Sequence, residues 1–377
     1  MYLPTIPAMM REFHSTPSMT QMGLSMAMLG MGIGSIIWGS LSDHFGRKPI
    51  LIISLIIFAV STGVAMLSPS MLIFILIRLV QGFGAGGAMV LSTSIPADVY
   101  AGRQLGKLMG IVGAINGIAP AAGPLVGGFL ADSVGWRGIF MVLLAIGILM
   151  LFWTSRTRET LPPQRRMATP KFKAYVIAYK KLLLNLRFML YVLLKALAIA
   201  SLYAYISSGP FILQDHYHFS ALTFGLIFGA NALFIALGAT LAPRFRIMKQ
   251  AMVLGTAGMF IFSLALAAVM WWHLPFVYYE VVAIPLMVCL GMIFSSANTL
   301  AMDVGREEAG TASAILGVVK YILAAIVSPL CGIGNLMHSS AVTISVVAVI
   351  ALVFAYLAYR MSPLQDMVKK HSPSPRH

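Results

Sequence analysis

Three cations lie inside long apolar runs, where a charge is costly enough to indicate chemistry. Arg78 interrupts the run MLIFILIRLVQGFGAGGAMV, and Lys195 and Lys320 interrupt two similar runs. A charge at the centre of a membrane span costs about 2.5–3.5 kcal/mol, so such residues usually face the bundle interior and handle ions or substrate. Gln81 shares a helical face with Arg78. These four residues are candidates for handling a charge; the alternative is that the cations extend to the interface.

A second charged group, GSLSDHFGRKP, separates two apolar runs. Gly39 would let two helices approach closely, and Gly46 would permit a tight turn. Asp43 follows a predicted helix end, and Arg47 and Lys48 add two positive charges. Such a joint can hold helix ends together through its charges, or it can be an ordinary solvated loop.

A third pattern is a run of small residues, GAINGIAPAAGPLVGG, in an apolar setting. Prolines remove backbone donors and bend a helix, and glycines give a helix a flat face for close packing. The run predicts either a gate between helices or common small-residue packing. Its members include Gly113, Gly117, Pro120, Gly123, Pro124 and Gly127.

The elements that position these residues are apolar helices. Of the 377 residues, 59% are hydrophobic and 10% are charged, whereas a soluble domain carries about 25% charged residues. Runs of about 20 apolar residues are long enough to cross a bilayer as helices. The sequence therefore predicts an all-α polytopic membrane protein, with spans at about 20–42, 50–67, 71–95, 104–130, 137–155, 187–209, 221–243, 249–272, 276–300, 307–334 and 339–360.

The positive charges predict the orientation of these spans. Of the 26 Lys and Arg residues, 21 lie in or beside alternate loops, beginning with residues 43–49, or in the C-terminal tail. Two, Arg11 and Arg137, lie in the opposite loops. This asymmetry follows the positive-inside rule, so the net charge of +15 indicates topology rather than nucleic-acid binding. We expect the basic loops and the C-terminus to be cytoplasmic.

The longest polar stretch, residues 156–186, divides the chain into two parts. We expect an N-terminal helical bundle over residues 1–155, a basic cytoplasmic linker over 156–186, a C-terminal bundle over 187–360 and a tail over 361–377. Two bundles of this kind are the plan of many transporters, which hold their substrate between the halves near the midplane.

Six motifs follow one another along the chain. They are GSLSDHFGRKP (39–49), RLVQGFGAGGA (78–88), GAINGIAPAAGPLVGG (113–128) with the later GWR (135–137), ETLPPQRR (159–166), SGPFIL (208–213) and AGTASAILG (309–317). Together they resemble the major facilitator superfamily over essentially the whole chain, and within it the bicyclomycin-resistance (Bcr/CflA) branch of drug/proton antiporters. The resemblance implies two six-helix bundles, with about 11 full spans and the end of helix one present here.

The resemblance also implies roles for the charged residues. Asp43 would meet the N-terminus of the helix that starts near residues 306–310, an arrangement worth about 0.3–1 kcal/mol. Arg47 would pair with Asp98, so that the joint latches the bundles in an outward-facing state. Arg78 would act in proton coupling, and the run 113–128 would be the antiporter motif.

The branch places a proton-carrying carboxylate just before a Tyr-Leu-Pro at the end of its first helix, and here that position precedes Met1. The opening MYLPTIPAM is too short to span the membrane, so we expect the first helix to begin upstream. Glu280 is the one acid that clearly enters a predicted span. It lies about one turn from the outer end, and we expect it at the interface.

A substrate cavity is predicted between the halves. Methionine suits surfaces that accept varied ligands, and the chain contains 26 of them. An apolar cavity with a few polar groups suits amphiphilic compounds that are uncharged or weakly charged. The candidate lining residues, each of which has ordinary packing as its alternative, are Tyr203, Tyr205, Phe211, Phe228, Asn231 and Asn298.

The sequence thus predicts a proton-driven exporter of drugs or other small amphiphiles in the bacterial inner membrane. We expect a monomer without cofactor or metal, whose partners are its substrate, protons and the lipid bilayer. The sequence has no phosphate-binding GK[ST] loop and no nucleophile–base constellation, which argues against an enzyme. The alternatives are an exporter of a sugar, amino acid or small peptide on the same fold, or a truncated membrane protein that does not transport.

Overall fold

The computed structural model describes residues 1–162 and 172–361. Within these ranges it does not describe the side chains of residues 172–176, Ala309 and ten residues between 103 and 121. Two predicted regions lie partly outside the described residues. They are the linker at residues 163–171, which include the end of ETLPPQRR, and the tail at residues 362–377. The division into two bundles and a linker remains a prediction.

The longer elements of the described chain are all α-helices, and no strand occurs in it. They are α1 (Ile6–Glu12), α2 (Pro17–Phe45), α3 (Arg47–Met66), α4 (Met71–Val99), α5 (Gly102–Arg156), α6 (Phe172–Leu183), α7 (Leu186–Pro210), α8 (Ala221–Leu241), α9 (Met248–Trp271), α10 (Phe276–Val304), α11 (Ala309–Leu330) and α12 (Leu336–Arg360). A π-helical turn, Phe211–His216, continues α7.

Ten helices of the described chain are long and apolar enough to cross a membrane. The helix α5 contains 55 residues, or about 82 Å at 1.5 Å per residue, which is more than twice the bilayer core of about 30 Å. Its backbone leaves the helical region at Gly135, where φ is +61°. The predicted spans 104–130 and 137–155 are therefore the two arms of α5. The prediction of an all-α polytopic membrane protein is confirmed.

Side-chain caps fix where several helices begin. The hydroxyls of Thr16, Ser70 and Ser220 accept hydrogen bonds from backbone N–H groups in the first turns of α2, α4 and α8. The amide oxygens of Asn185 and Asn335 do the same for α7 and α12. Such caps satisfy backbone donors that the helix itself leaves free.

The connections between helices define two ends of the bundle. We call the end that holds residues 43–48, 99–102 and 156–162 the basic end, because Arg47, Lys48 and Arg156 lie there. We call the end that holds residues 13–17, 67–70, 135, 217–220 and 331–335 the opposite end.

The buried apolar side chains form two main clusters. The larger one comes from α7 to α12 and the π turn, and it includes Tyr191, Phe224 and Tyr279. The second joins the start of the chain to α4 and α5 through Tyr2, Phe74 and Phe140, and Phe211 packs into it. Between these sets of helices, α2 packs against α11 and α5 packs against α8.

At Gly39, α2 lies against α4, but the contact does not require a glycine. A Cβ built there would meet Val90 Cγ2 at 3.5 Å, an ordinary contact. The contact that does require glycine lies deeper in the bundle, where a Cβ at Gly82 would overlap the backbone carbonyl of Ala27 and one at Gly34 would overlap that of Phe83. The two helices therefore touch backbone to backbone below the joint.

Candidate functional site

Arg78 lies inside the bundle and does not extend to the interface. Its side chain is buried, and its Nε donates to the carbonyl oxygen of Gly23, 3.3 Å away. A guanidinium nitrogen donates to Gln81 Oε1, and Gln81 Nε2 in turn donates to Thr62 Oγ1 at 2.6 Å. The polar strip predicted from the spacing of Arg78 and Gln81 is present and links three helices.

Aromatic rings cover the Arg78 guanidinium. Its central carbon lies 4.7 Å from the Tyr2 ring centroid and 5.7 Å from that of Phe140. Among the ion pairs of residues 1–162 and 172–361, none involves Arg78. Cation–π contacts and neutral acceptors thus stabilise the Arg78 charge. The guanidinium is therefore still able to attract an anion.

The joint at the basic end is built around Arg47. Gly46 has φ +101° and is the single residue between α2 and α3. The predicted tight turn is therefore present. Arg47 Nε lies 2.7 Å from Asp98 Oδ2 at the end of α4, and its Nη1 lies 2.6 Å from Asp43 Oδ1. The predicted pairing of Arg47 with Asp98 is present in the structure, and Asp43 shares the same guanidinium.

A carboxylate that the sequence analysis missed completes the joint. Glu159 accepts hydrogen bonds from the backbone N–H groups of Arg47 and Lys48 at 3.0 and 3.2 Å, which cap the start of α3. It also accepts from Thr160 and Leu161 at 2.9 Å. Burial alone would raise the pKa of Glu159, but these four backbone donors outweigh it and hold the pKa below its usual value. The signal in the sequence was Glu159 itself, in the ETLPPQRR motif.

The predicted contact of Asp43 with the start of α11 is not made in this arrangement. Within the described chain the hydrogen-bond partner of the Asp43 carboxylate is Arg47. The neighbouring Lys48 points elsewhere, with its Nζ donating to the carbonyl oxygen of Ser155 at 2.8 Å. The latch between bundles therefore stays a prediction for another state.

Two lysines and an amide meet in the interior of the C-terminal helices. Lys195 Nζ of α7 donates to Asn298 Oδ1 of α10 at 2.6 Å. Lys320 lies on α11, which packs against α7, and its Nζ lies 4.5 Å from the ring centroid of Tyr321, which packs with Tyr203 of α7. Both lysines are mostly buried. The sequence analysis named these residues separately, and the structure brings them together.

Four of the predicted cavity residues are packed in cores. Tyr205 stacks on Phe228 with ring centroids 4.9 Å apart and accepts a hydrogen bond from Asn231 Nδ2 at 2.8 Å. Phe211 packs against the cluster around Tyr2 and Phe74. Ordinary packing, the stated alternative, describes these residues here. Tyr203 instead lies beside Tyr321 and Met28, where α7 and α11 face α2.

Glu280 lies about one turn inside the start of α10 at the opposite end, which is the depth that the sequence predicts. One of its oxygens, Oε2, is buried and has no hydrogen-bond partner among the described residues. Asn231 Oδ1 is another buried oxygen without a partner among these residues. An unpartnered buried carboxylate oxygen is costly while it is charged, so this group is suited to take up a proton.

The run 113–128 belongs to the first arm of α5. A Cβ at Gly128 would lie 2.5 Å from the carbonyl oxygen of Ala221, and one at Gly225 would lie 2.7 Å from that of Pro124. The predicted close packing is therefore present, and the neighbour is α8. A Cβ at Gly123 or Gly127 would meet the backbone of Met1. The predictions for Gly113, Gly117 and Pro120 fall on residues whose backbone is assigned to α5 but whose side chains are not described.

Contacts between α1–α5 and α7–α12 are concentrated at the opposite end. Within the described ranges, the hydrogen bonds and ion pairs that join these sets there are Arg11–Asp215, Gln214–Pro4, Ser18–Pro329 and Gln21–Ser207, at 2.8–3.1 Å. The deepest lies near mid-span, where Tyr321 Oη contacts Met89 Sδ at 3.3 Å. Among the described residues, the ion pairs at the basic end join α2, α3 and α4 through Arg47, or join α6 to the segment before α11 through Lys181–Glu307 at 2.7 Å; none joins α1–α5 to α7–α12. The described structure is thus closed at the opposite end.

Comparisons with known proteins agree with this architecture. Residues 1–329 match the sequence profile of the Major Facilitator Superfamily. The uncharacterized MFS-type transporter YdgK of Bacillus subtilis (strain 168) is 33% identical over 365 residues, covering 95% of this chain and 90% of that protein. A bicyclomycin resistance protein homolog of Haemophilus influenzae is 26% identical over 346 residues, covering 88% and 84%.

A solved structure shares the same fold. It is a bacterial homolog of the human lysosomal transporter Spinster in an inward-facing, unoccupied conformation, with a TM-score of 0.76 and 18% identity over 99% of this chain and 94% of that one. The resemblance drawn from the six motifs is confirmed by these matches. This chain belongs to the Major Facilitator Superfamily of membrane transporters, where its relatives include drug-resistance and multidrug-resistance proteins.

Proposed function

We propose that this protein exports drugs or other small amphiphiles from the bacterial cytoplasm in exchange for protons, by alternating access. The observation that carries the proposal is the one-sided contact between the two sets of helices, which are joined at the opposite end and at mid-span. Alternating access needs two bundles that separate at one end while they close at the other. Similarity to a bicyclomycin resistance protein homolog favours drugs as the substrate class.

The basic end is the cytoplasmic end in this proposal. The excess of Lys and Arg in its loops supports that orientation, which puts the linker and the C-terminus in the cytoplasm of an inner-membrane protein. The structure then corresponds to a state closed towards the outside. The protein works as a monomer, performs no covalent chemistry and uses no cofactor other than the proton gradient.

The candidate proton carrier is Glu280. Its buried oxygen Oε2 has no donor among the described residues, and protonation would remove the cost of keeping a charge there. Tyr205 fixes the Asn231 amide by accepting its hydrogen bond at 2.8 Å. Opening of the opposite end would give this site access to external protons, because α10 begins there at Phe276. A protonatable carboxyl group in a span is the usual device for such coupling.

Accumulation assays test the proposed export. Cells that lack their own pumps and express this chain are loaded with chloramphenicol, ethidium or dansylglycine, which are uncharged, cationic and anionic amphiphiles. We expect lower accumulation of at least one compound, and a protonophore should abolish the difference. Unchanged accumulation of all three, with the protein shown to be in the membrane, contradicts drug export. Competition by sugars, amino acids or peptides would indicate a metabolite exporter instead.

The proton carrier has its own test. Glu280→Gln keeps the shape of the side chain but cannot release a proton, so we expect protonophore-sensitive export to be lost while substrate binding persists. Glu307→Gln is the matched control, because Glu307 is exposed and pairs with Lys181 at the basic end. Full export by Glu280→Gln contradicts the assignment.

A further inference from the structure

Two helices of the C-terminal half bring positive charge into the interior, and a third brings a neutral amide. Lys195 lies nine residues after the start of α7 and Lys320 eleven after the start of α11, or about 13 and 16 Å from the basic end at 1.5 Å per residue. Asn298, six residues before the end of α10 at the same end, accepts from Lys195 at 2.6 Å. The cluster therefore lies inside the bundle, in the half nearer the basic end.

No carboxylate neutralises the two lysines in the described chain. The ion pairs of residues 1–162 and 172–361 include neither Lys195 nor Lys320, and Asp303, which follows Asn298 on α10, is exposed. Two neighbouring cations that are mostly buried and lack a counter-ion are unfavourable. An anion that enters between them relieves both the missing pairing and the mutual repulsion.

The remaining polar groups of the cluster are donors. The Asn298 amide nitrogen makes no hydrogen bond with the described residues, and its oxygen already accepts from Lys195. Two ammonium groups and an amide N–H₂ match a ligand that offers only acceptors, such as a carboxylate or sulfonate.

An apolar wall stands beside these donors. Tyr203 and Ile199 of α7, Tyr321 of α11, and Met28 and Met31 of α2 pack together where the two halves face each other. Aromatic and methionine side chains accept apolar bodies of varied shape. The wall includes residues from both halves, which is the position expected of a transported substrate.

We infer that Lys195, Lys320 and Asn298 form the binding site for the anionic head of an amphiphilic organic anion, whose apolar body contacts the wall of Tyr203, Tyr321 and Met28. This inference rests on the proposed export function and narrows its substrate class. The sequence analysis predicted uncharged or weakly charged compounds. It did so because the sequence does not show that the two lysines lie on helices that pack together.

Binding to the purified full chain tests the inference with a matched pair of probes. Dansylglycine carries a carboxylate, and dansylglycinamide has the same fluorescent body without the charge. We expect dansylglycine to bind at least tenfold more tightly, as one charge-assisted hydrogen bond implies. Excess inorganic phosphate should not displace it at equal concentration, because phosphate lacks the apolar body.

Variants assign the preference to the two lysines. Lys195→Gln and Lys320→Gln should each lower dansylglycine affinity about tenfold and leave dansylglycinamide binding unchanged, which also shows that they fold. Lys320→Arg should retain most of the preference because it keeps the charge. Lys180→Gln is the control, since it removes one charge from an exposed position on α6.

Three results would overturn the inference. They are equal affinity for the two probes, an anion preference that survives both glutamine variants, and displacement by phosphate at equal concentration. Export of chloramphenicol or ethidium in the accumulation assay would then leave the proposed function standing with a different substrate class. Failure of export for every compound, with anion binding intact, would refute the transport function and keep the anion site.

Discussion

At the scale of single residues, the informative groups are charges and acceptors without a full set of partners. Arg78 is held by neutral acceptors and aromatic faces, and Glu280 keeps a buried oxygen without a donor. Folding alone does not reward such arrangements, because buried polar groups are normally satisfied. In the proposed transport cycle, a proton or a substrate would complete them.

Removing the guanidinium should damage both stability and export. In Arg78→Ala, Gln81 Oε1 loses its donor while it remains buried, which costs about 1–3 kcal/mol. We expect a lower melting temperature and loss of most export. Arg78→Lys keeps the charge but not the planar fork, so stability should recover more than export. Thermal melts and accumulation assays check both, with exposed Arg156→Ala as the control.

Spacing along the chain predicted pairs on one helix, the family resemblance supplied the distant pair of Arg47 with Asp98, and other distant pairs were missed. The strip of Arg78 and Gln81 follows from a spacing of three residues on one helix. Lys195 and Asn298 lie 103 positions apart, so their contact depends on how α7 packs against α10. No local pattern contains that information.

At the scale of elements, caps and backbone contacts set the positions of the helices. Several observed helices extend past the predicted spans; α2 runs from Pro17 to Phe45, whereas hydropathy indicated 20–42. The helix α11 is instead shorter, at Ala309–Leu330 against an indicated 307–334. Hydropathy falls at the edge of the bilayer, but a helix continues until a cap or a glycine ends it. The start of α3 is capped by Glu159, which follows the end of α5 in the sequence.

The cap on α3 should be pH-dependent. The pKa of Glu159 is lowered in the folded state, so its stabilising effect is fully present above its usual value of 4.5 and is lost as the pH falls through the folded pKa. At pH 7, Glu159→Gln should lower the free energy of unfolding by about 1 kcal/mol and therefore melt at a lower temperature than wild type. The gap should narrow steadily as the pH is lowered below 4.5. Asp132→Asn, at an exposed position, should show no gap at any pH; a gap for Glu159→Gln that does not narrow on acidification would contradict this role.

The contact between α2 and α4 offers a second pair of variants. Gly82→Ala forces a methyl group against the Ala27 carbonyl, so we expect destabilisation of about 1–3 kcal/mol and a lower yield of folded protein. Gly39→Ala meets Val90 at an ordinary 3.5 Å and should melt close to wild type. Melting temperatures in detergent decide between the two, and an equal loss would contradict the assigned site of close approach.

At the scale of the whole molecule, transport requires the opposite end to open. Arg11 and Asp215 join the two halves there at 3.1 Å. In a chain whose Cys289 and Cys331 are replaced by alanine, Arg11→Cys with Asp215→Cys should react with a short bismaleimide. We expect the cross-link to abolish export, because it prevents the halves from separating.

A second cysteine pair controls for the chemistry. Glu12 and Arg137 form an ion pair of 2.5 Å at the same end but within the N-terminal half. Cross-linking of Glu12→Cys with Arg137→Cys should leave export largely intact. If both cross-links abolish export, the two halves do not move as rigid bodies at the opposite end. If neither cross-link abolishes export, transport does not require the opposite end to open.

The unneutralised lysines inside the bundle also have an electrical consequence if they bind a transported anion. A proton that enters and a monovalent anion that leaves both carry current inward, so each exchange would move two charges. Each charge gains about 2.3 kcal/mol per 100 mV of inside-negative potential. Voltage alone would then drive the cycle without a pH difference, and an uncharged substrate would receive half of that driving force.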